Sequence, residues 1–89
     1  MLSVFKYPVN LVDEFSLELP IGARILHVES QAGTNCLWAL VDPKAPKELR
    51  HFRLAGTGHP IDDYAIGDHI ATWQDGPYVW HLFEAGGTR

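Results

Sequence analysis

A single cysteine among 89 residues, Cys36, excludes an intrachain disulfide and any zinc site built from paired thiolates. No run approaches the roughly 18 apolar residues that a membrane-crossing helix needs. The amino-terminal stretch MLSVFKYPVNLVDEF has no basic segment leading into an apolar one, so a secretory leader is not expected. A small domain without disulfide staples is expected in the cytoplasm. Bases are scarce as well: seven Lys and Arg face eleven Asp and Glu, a net charge of −4. That balance argues against direct nucleic-acid binding, which needs a basic footprint to displace counterions from phosphate.

What is present is ordinary globular composition, 46% apolar and 20% charged, in a chain long enough for one hydrophobic core and one domain over residues 1–89. The charge is uneven. Acids and bases balance through Arg53; beyond it Asp62, Asp63, Asp68, Asp75 and Glu84 are answered only by Arg89. An acidic third of this kind suits a partner with a basic surface.

Glycines and prolines are spread as punctuation between short apolar runs, the spacing of an all-β protein. SVFKYPV (Ser3 to Val9) is rich in β-branched and aromatic residues and reads as an edge strand, because Pro8 cannot donate to a ladder. EFSLELP alternates, with Phe15, Leu17 and Leu19 on one face. LPIGA supplies a turn, ARILHVESQ the next strand, and CLWALVD a strand central enough to be covered on both faces, Trp38 included. DPKAPKEL reads as a loop with room for one helical turn from Pro46, and RHFRLAG as a strand with Phe52 and Leu54 inward. DHIATWQ and YVWHLFE flank Asp-Gly-Pro as a hairpin, through a two-residue turn at Asp75 and Gly76 or, since Pro77 has no amide to donate, a four-residue loop; both pair Trp73 with Tyr78. Strict alternation then sets Ala71, Trp73, Tyr78, Trp80 and Leu82 on one face and Ile70, Thr72, Val79, His81 and Phe83 on the other, with His69 opposite to His81. The expected fold is mainly β: a small antiparallel sheet, sandwich or partly open barrel of about six short strands with at most one short helical turn.

Chemistry-bearing patterns are sparse. LAGTGHPIDD (Leu54 to Asp63) looks like a phosphate loop but has no third glycine, no lysine and no helix to follow, and two aspartates would repel the anion. It reads as a turn. Five histidines show no metal-ligand spacing, Cys36 opens the most apolar run, and no nucleophile elbow occurs, so neither a metal, a cofactor nor catalysis is expected. Trp38, Trp73, Tyr78 and Trp80 are interleaved with aspartates where a base-stacking surface would carry lysines and arginines. Any of Trp73, Tyr78 or Trp80 left exposed would serve as a protein-binding anchor.

The succession LPIGARIL, CLWALVDP, FRLAGTGHPI and VWHLFE resembles a family of very short proteins encoded by phages and prophages, over Phe5 to Glu84. In size and acidity the chain is also similar to anti-CRISPR inhibitors of type I systems, type I-C among them. The resemblance implies a non-enzymatic protein of the host cytoplasm, monomeric with a dimer as the variant. Its partner would be a host complex with a basic surface, such as a CRISPR effector, kept from target DNA by Asp62, Asp63, Asp68 and Asp75 with the help of Trp73 and Tyr78. Two alternatives remain open at this point. One is a virion or accessory module assembling through the strand edge near Ser3 to Val9; the other is a sponge for a small defence-signalling ligand held by Arg50 or Arg53.

Overall fold

A computed structural model of the chain describes residues 1–62 and 66–85. Among them are seven strands and no helix: β1 (Ser3–Pro8), β2 (Glu14–Pro20), β3 (Arg24–Gln31), β4 (Thr34–Val41), β5 (Lys47–Gly56), β6 (Ile66–Asp75) and β7 (Tyr78–Ala85). They form two antiparallel sheets, β1-β4-β3 and β2-β5-β7-β6, that do not close into a barrel. The arrangement is a small sandwich. No helical turn starts at Pro46; Asp42 instead caps a tight bend, its Oδ1 accepting from Lys44 N and its carbonyl from Ala45 N, and β5 begins at once.

Each sheet turns one face to the shared core. β4 contributes Leu37, Ala39 and Val41, β2 contributes Phe15 and Leu19, β5 contributes Phe52 and Leu54, and the last hairpin contributes Trp73 and Leu82. Phe52, Leu19, Leu37 and Leu82 are completely buried, each worth about 1.5–3 kcal/mol relative to exposure. Phe15 lies directly across the β2–β5 ladder from Phe52 and stacks on it at 5.3 Å.

β4 is the central strand of its sheet, as its apolar run predicts, but its second face is less covered than expected. Trp38 is half-buried on the outer side, 6.0 Å from the His27 ring, and lies outside the core. No layer packs over that face among the described residues; a continuous apolar run is satisfied here by the strand neighbours Lys6 and His27.

Turn chemistry directs the chain between the sheets. Gly22, at φ 83°, completes a bend closed by Ala23 N donating to Pro20 O at 3.0 Å, and it passes the chain from β2 in one sheet to β3 in the other. Ala32 and Gly33, at φ 50° and 85°, form the two-residue β3–β4 hairpin loop with the positive angles that right-handed strand twist favours.

The β6–β7 hairpin corrects the expected register. Its loop is Gly76–Pro77, so Asp75 pairs with Tyr78, and Trp73 pairs with Trp80. Gly76 takes the positive φ (58°), and Pro77 occupies a loop position whose amide the ladder does not need. A second correction follows from two irregularities in β6, between Ile66 and His69 and between His69 and Ala71. The second one inserts Ile70, which packs against the core along with Ala71, and so returns His69 to the outer face where its partner is Phe83. Strict alternation fails at both irregularities, and the one at Ile70 decides the face of His69.

Candidate functional site

Of the carboxylates expected to share a surface, Asp75 is set apart from the others by its place in the fold. Asp62 is exposed in the segment after β5, Asp63 lies outside the described residues, and Asp68 is exposed near the start of β6. Asp75 closes the far end of the same strand, on the order of 20 Å away at strand rise. It also points inward. Asn35 Nδ2 donates to Asp75 Oδ2 at 3.0 Å, and the other side of the same amide, Oδ1, accepts from Trp73 Nε1 at 2.8 Å. Asn35 is the buried polar residue of the core, on β4, whereas Trp73 and Asp75 belong to β6 of the other sheet. The three side chains therefore clasp the two sheets together. Trp73 is only 6% exposed, so its use as a partner-binding anchor is corrected to a structural one.

Of the remaining acids in that third, Glu84 is paired at 2.6 Å with Arg50, whose guanidinium also donates to Ala23 O and lies 5.9 Å from the Phe52 ring. Arg53 donates to the Asp13 and Leu54 carbonyls and sits 3.6 Å from the Asp13 carboxylate. Both arginines named for a signalling ligand are thus engaged with groups of the fold.

Tyr78, by contrast, is left on the surface. It is 60% exposed at the tip of the last hairpin and stacks on Trp80 with centroids 5.9 Å apart. Beside the pair opens a cleft of about 300 Å³ lined by Gly56, Thr57, His59, Pro77, Tyr78 and Trp80. One of its walls is the glycine-rich turn. β5 ends at Gly56, Gly58 takes φ 88°, and His59 N donates back to Gly56 O at 3.0 Å. His59 Nδ1 meanwhile accepts from Gly56 N at 3.2 Å, and its ring fills the space a side chain at Gly56 would need. Thr57 N donates to Val79 O, tying this turn to β7. The glycines thus permit a bend that brings an imidazole beside a Tyr–Trp stack.

Sequence reasoning missed a histidine array on the outer face of the four-stranded sheet. His69 Nε2, Thr72 Oγ1, His81 Nδ1, His81 Nε2 and Thr57 Oγ1 follow one another in a hydrogen-bonded row at 2.9, 3.0 and 2.7 Å across the three side-chain contacts. On β2 and β5, Ser16 Oγ meets His51 Nδ1 at 2.7 Å. The first row depends on the bulge at Ile70, for which the sequence carries no periodic signal; the second is a directly cross-strand pair that becomes legible only once the β2–β5 register is known. Ser16 and His51 form half of a nucleophile arrangement, but no group among the described residues orients the second ring nitrogen of His51. No cluster of three His, Cys, Asp or Glu among the described residues is placed to hold a metal ion. Cys36 is buried, its Sγ 3.6 Å from Thr34 O. No described helix is long and apolar enough to cross a membrane.

No curated protein and no solved structure matches the chain. One family model does, over residues 1–88, and the chain accordingly belongs to the family described as a domain of unknown function, DUF7352.

Proposed function

We propose that the chain is a non-catalytic binding module that seats the Tyr78–Trp80 tip and its adjoining cleft against another protein. The observation that carries this reading is the exposed tyrosine stacked on a tryptophan beside an open, largely apolar cleft. Rigid aromatic side chains give large contact area at low entropic cost, and such residues dominate binding energy at protein interfaces. The resemblance to small phage and prophage proteins supports the setting: the partner is a host defence assembly such as a type I CRISPR effector, and binding withholds that assembly from target DNA.

The contact is aromatic rather than acidic. Asp75 is engaged with Asn35 and turned from the surface, which takes one carboxylate out of any acidic face. The test is capture of a purified type I effector by the tagged chain, followed by target-DNA binding by the effector. Tyr78→Ala is expected to weaken capture at least tenfold and restore DNA binding, while Asp62→Ala with Asp68→Ala changes little. Inhibition that survives Tyr78→Ala and disappears with the aspartates would overturn the aromatic contact. Failure to capture the effector at all would overturn the anti-defence setting.

A further inference from the structure

The exposed large apolar residues are not evenly distributed. Of the ten among the described residues, six fall within Met1 to Val12: Met1, Leu2, Val4, Phe5, Leu11 and Val12. Four of these lie on or just before β1, which is the outer strand of its sheet and has β4 on one side only. An uncovered apolar edge of this kind is a template for another strand. Of the three other outer strands, β2 carries Glu14 and Glu18 and ends in Pro20, a combination that discourages pairing, while β3 and β6 lie against each other and β6 is broken by two irregularities.

We infer that β1 pairs antiparallel with β1 of a second copy of this chain, joining two three-stranded sheets into one of six strands. The hydrogen-bond phase of β1 decides which groups are free. Val9 N donates to Asn35 O at 2.9 Å, and the β1–β4 register continues in step from there, Tyr7 opposite Leu37, Phe5 opposite Ala39, Ser3 opposite Val41. The odd-numbered residues therefore spend their backbone groups on β4, and those of Val4 and Lys6 point away. Pro8 belongs to the outward set. Its missing amide falls at the end of the strand, where the inward ladder loses nothing.

Side-chain direction then selects a register. Directly opposed residues in an antiparallel pair share a face, so Val4 can stand opposite Val4, Lys6 or Pro8 of the second copy, but not opposite Phe5. Pairing with Pro8 brings the two Lys6 side chains face to face and sets a residue without a donor against Val4. Pairing Val4 with Lys6 avoids both, exchanges both bonds at each of the two equivalent positions, and lets Leu2 N donate to Pro8 O. It also places Phe5, 40% exposed on the core-facing side, directly against Phe5 of the second copy on the twofold axis. Pairing Val4 with itself offers no such aromatic contact, since Phe5 then meets Ser3. Lys6 is the only charged side chain from Met1 to Val12, so the acidic excess of the chain does not oppose the approach.

The register is tested by single cysteines. Phe5→Cys would stand about 4.5 Å, Cα to Cα, from its counterpart, within disulfide range. Mild oxidation is expected to convert this variant to a covalent dimer and to leave Ser3→Cys, which faces Tyr7, uncrosslinked. The native Cys36 is buried and does not compete. In light scattering, the unmodified chain is expected to rise with concentration from 10.0 kDa toward twice that mass. Val4→Pro removes an outward donor without touching the β4 ladder and is expected to weaken self-association about tenfold or more, with an unchanged far-ultraviolet spectrum. A mass that stays at 10.0 kDa at every concentration overturns the pairing. Crosslinking of Val4→Cys in preference to Phe5→Cys overturns the register. Should Val4→Pro fail to fold, the cysteine pair of variants still decides.

Discussion

Replacing Asn35 with alanine removes one amide that serves both sheets, and the cost can be worked from its contacts. Trp73 is buried and loses the acceptor for its indole N–H, which strands a neutral donor at about 1–3 kcal/mol. The partly buried Asp75 carboxylate loses a donor as well, but its position at the strand end lets water take part of that place, adding about 1 kcal/mol. The sum, about 2–4 kcal/mol, is a large share of the stability expected for a domain this size, about 0.05–0.15 kcal/mol per residue. Urea unfolding followed by far-ultraviolet dichroism measures it without relying on tryptophan emission. A double-mutant cycle with Trp73→Phe isolates the contact, since each single change leaves a buried partner unsatisfied and the double change leaves none at that bond; a coupling of about 1–2 kcal/mol is expected. Additivity within about 0.5 kcal/mol would refute the clasp. Asn35→Asp keeps the acceptor for Trp73 but sets a second carboxylate against Asp75, so that variant should gain stability as pH falls and one of the two acids takes up a proton.

Other expectations are equally direct. Ala32 holds φ 50° in the β3–β4 loop, where asparagine before glycine is the favoured pair; Ala32→Asn should raise stability by about 0.5–1 kcal/mol, read as a higher urea midpoint at constant slope. Gly56→Ala would put a Cβ 2.9 Å from His59 Cε1, displacing the ring and its bond to Gly56 N; it should cost about 1–2 kcal/mol, and clearly less in a His59→Ala background, where a cost equal to that in the parent chain would contradict the steric account. Burial raises the Tyr7 phenol above its usual value of 10.0. The neutral form is favoured by folding, so the stability linked to Tyr7 is fully present below pH 10 and lost as pH rises through the folded value; Tyr7→Phe should flatten that alkaline loss in thermal melts.

The fold was legible where a residue's demands are local. Alternation in Phe15, Leu17 and Leu19 reported a strand with one buried face, and Pro8 reported an edge, because both follow from the geometry of a few neighbouring residues. The LAGTGHPI stretch was readable as a turn for the same reason. Its role as a cleft wall was not, since that depends on Thr57 reaching Val79, a contact between segments distant in the chain. Trp73 and Tyr78 illustrate the limit from the other direction. Both are aromatic residues beside an aspartate-bearing turn, yet one is buried by an asparagine arriving from the opposite sheet and the other overhangs the hairpin tip.

The histidine row shows why a single inserted residue governs what a surface can do. Without the bulge at Ile70, His69 would follow Ala71 and Trp73 onto the core-facing side, where a titratable ring would need a partner in an apolar layer. The bulge resolves this by sending two consecutive side chains, Ile70 and Ala71, inward and His69 outward to Thr72. Thr72 Oγ1 then stands between two imidazoles with one proton to give. Deletion of Ile70 would restore plain alternation with His69 still on the outer face, whereas the same strand drawn straight with Ile70 kept would turn His69 into the core. The row of histidines is thus a consequence of strand geometry, which residue types alone do not encode.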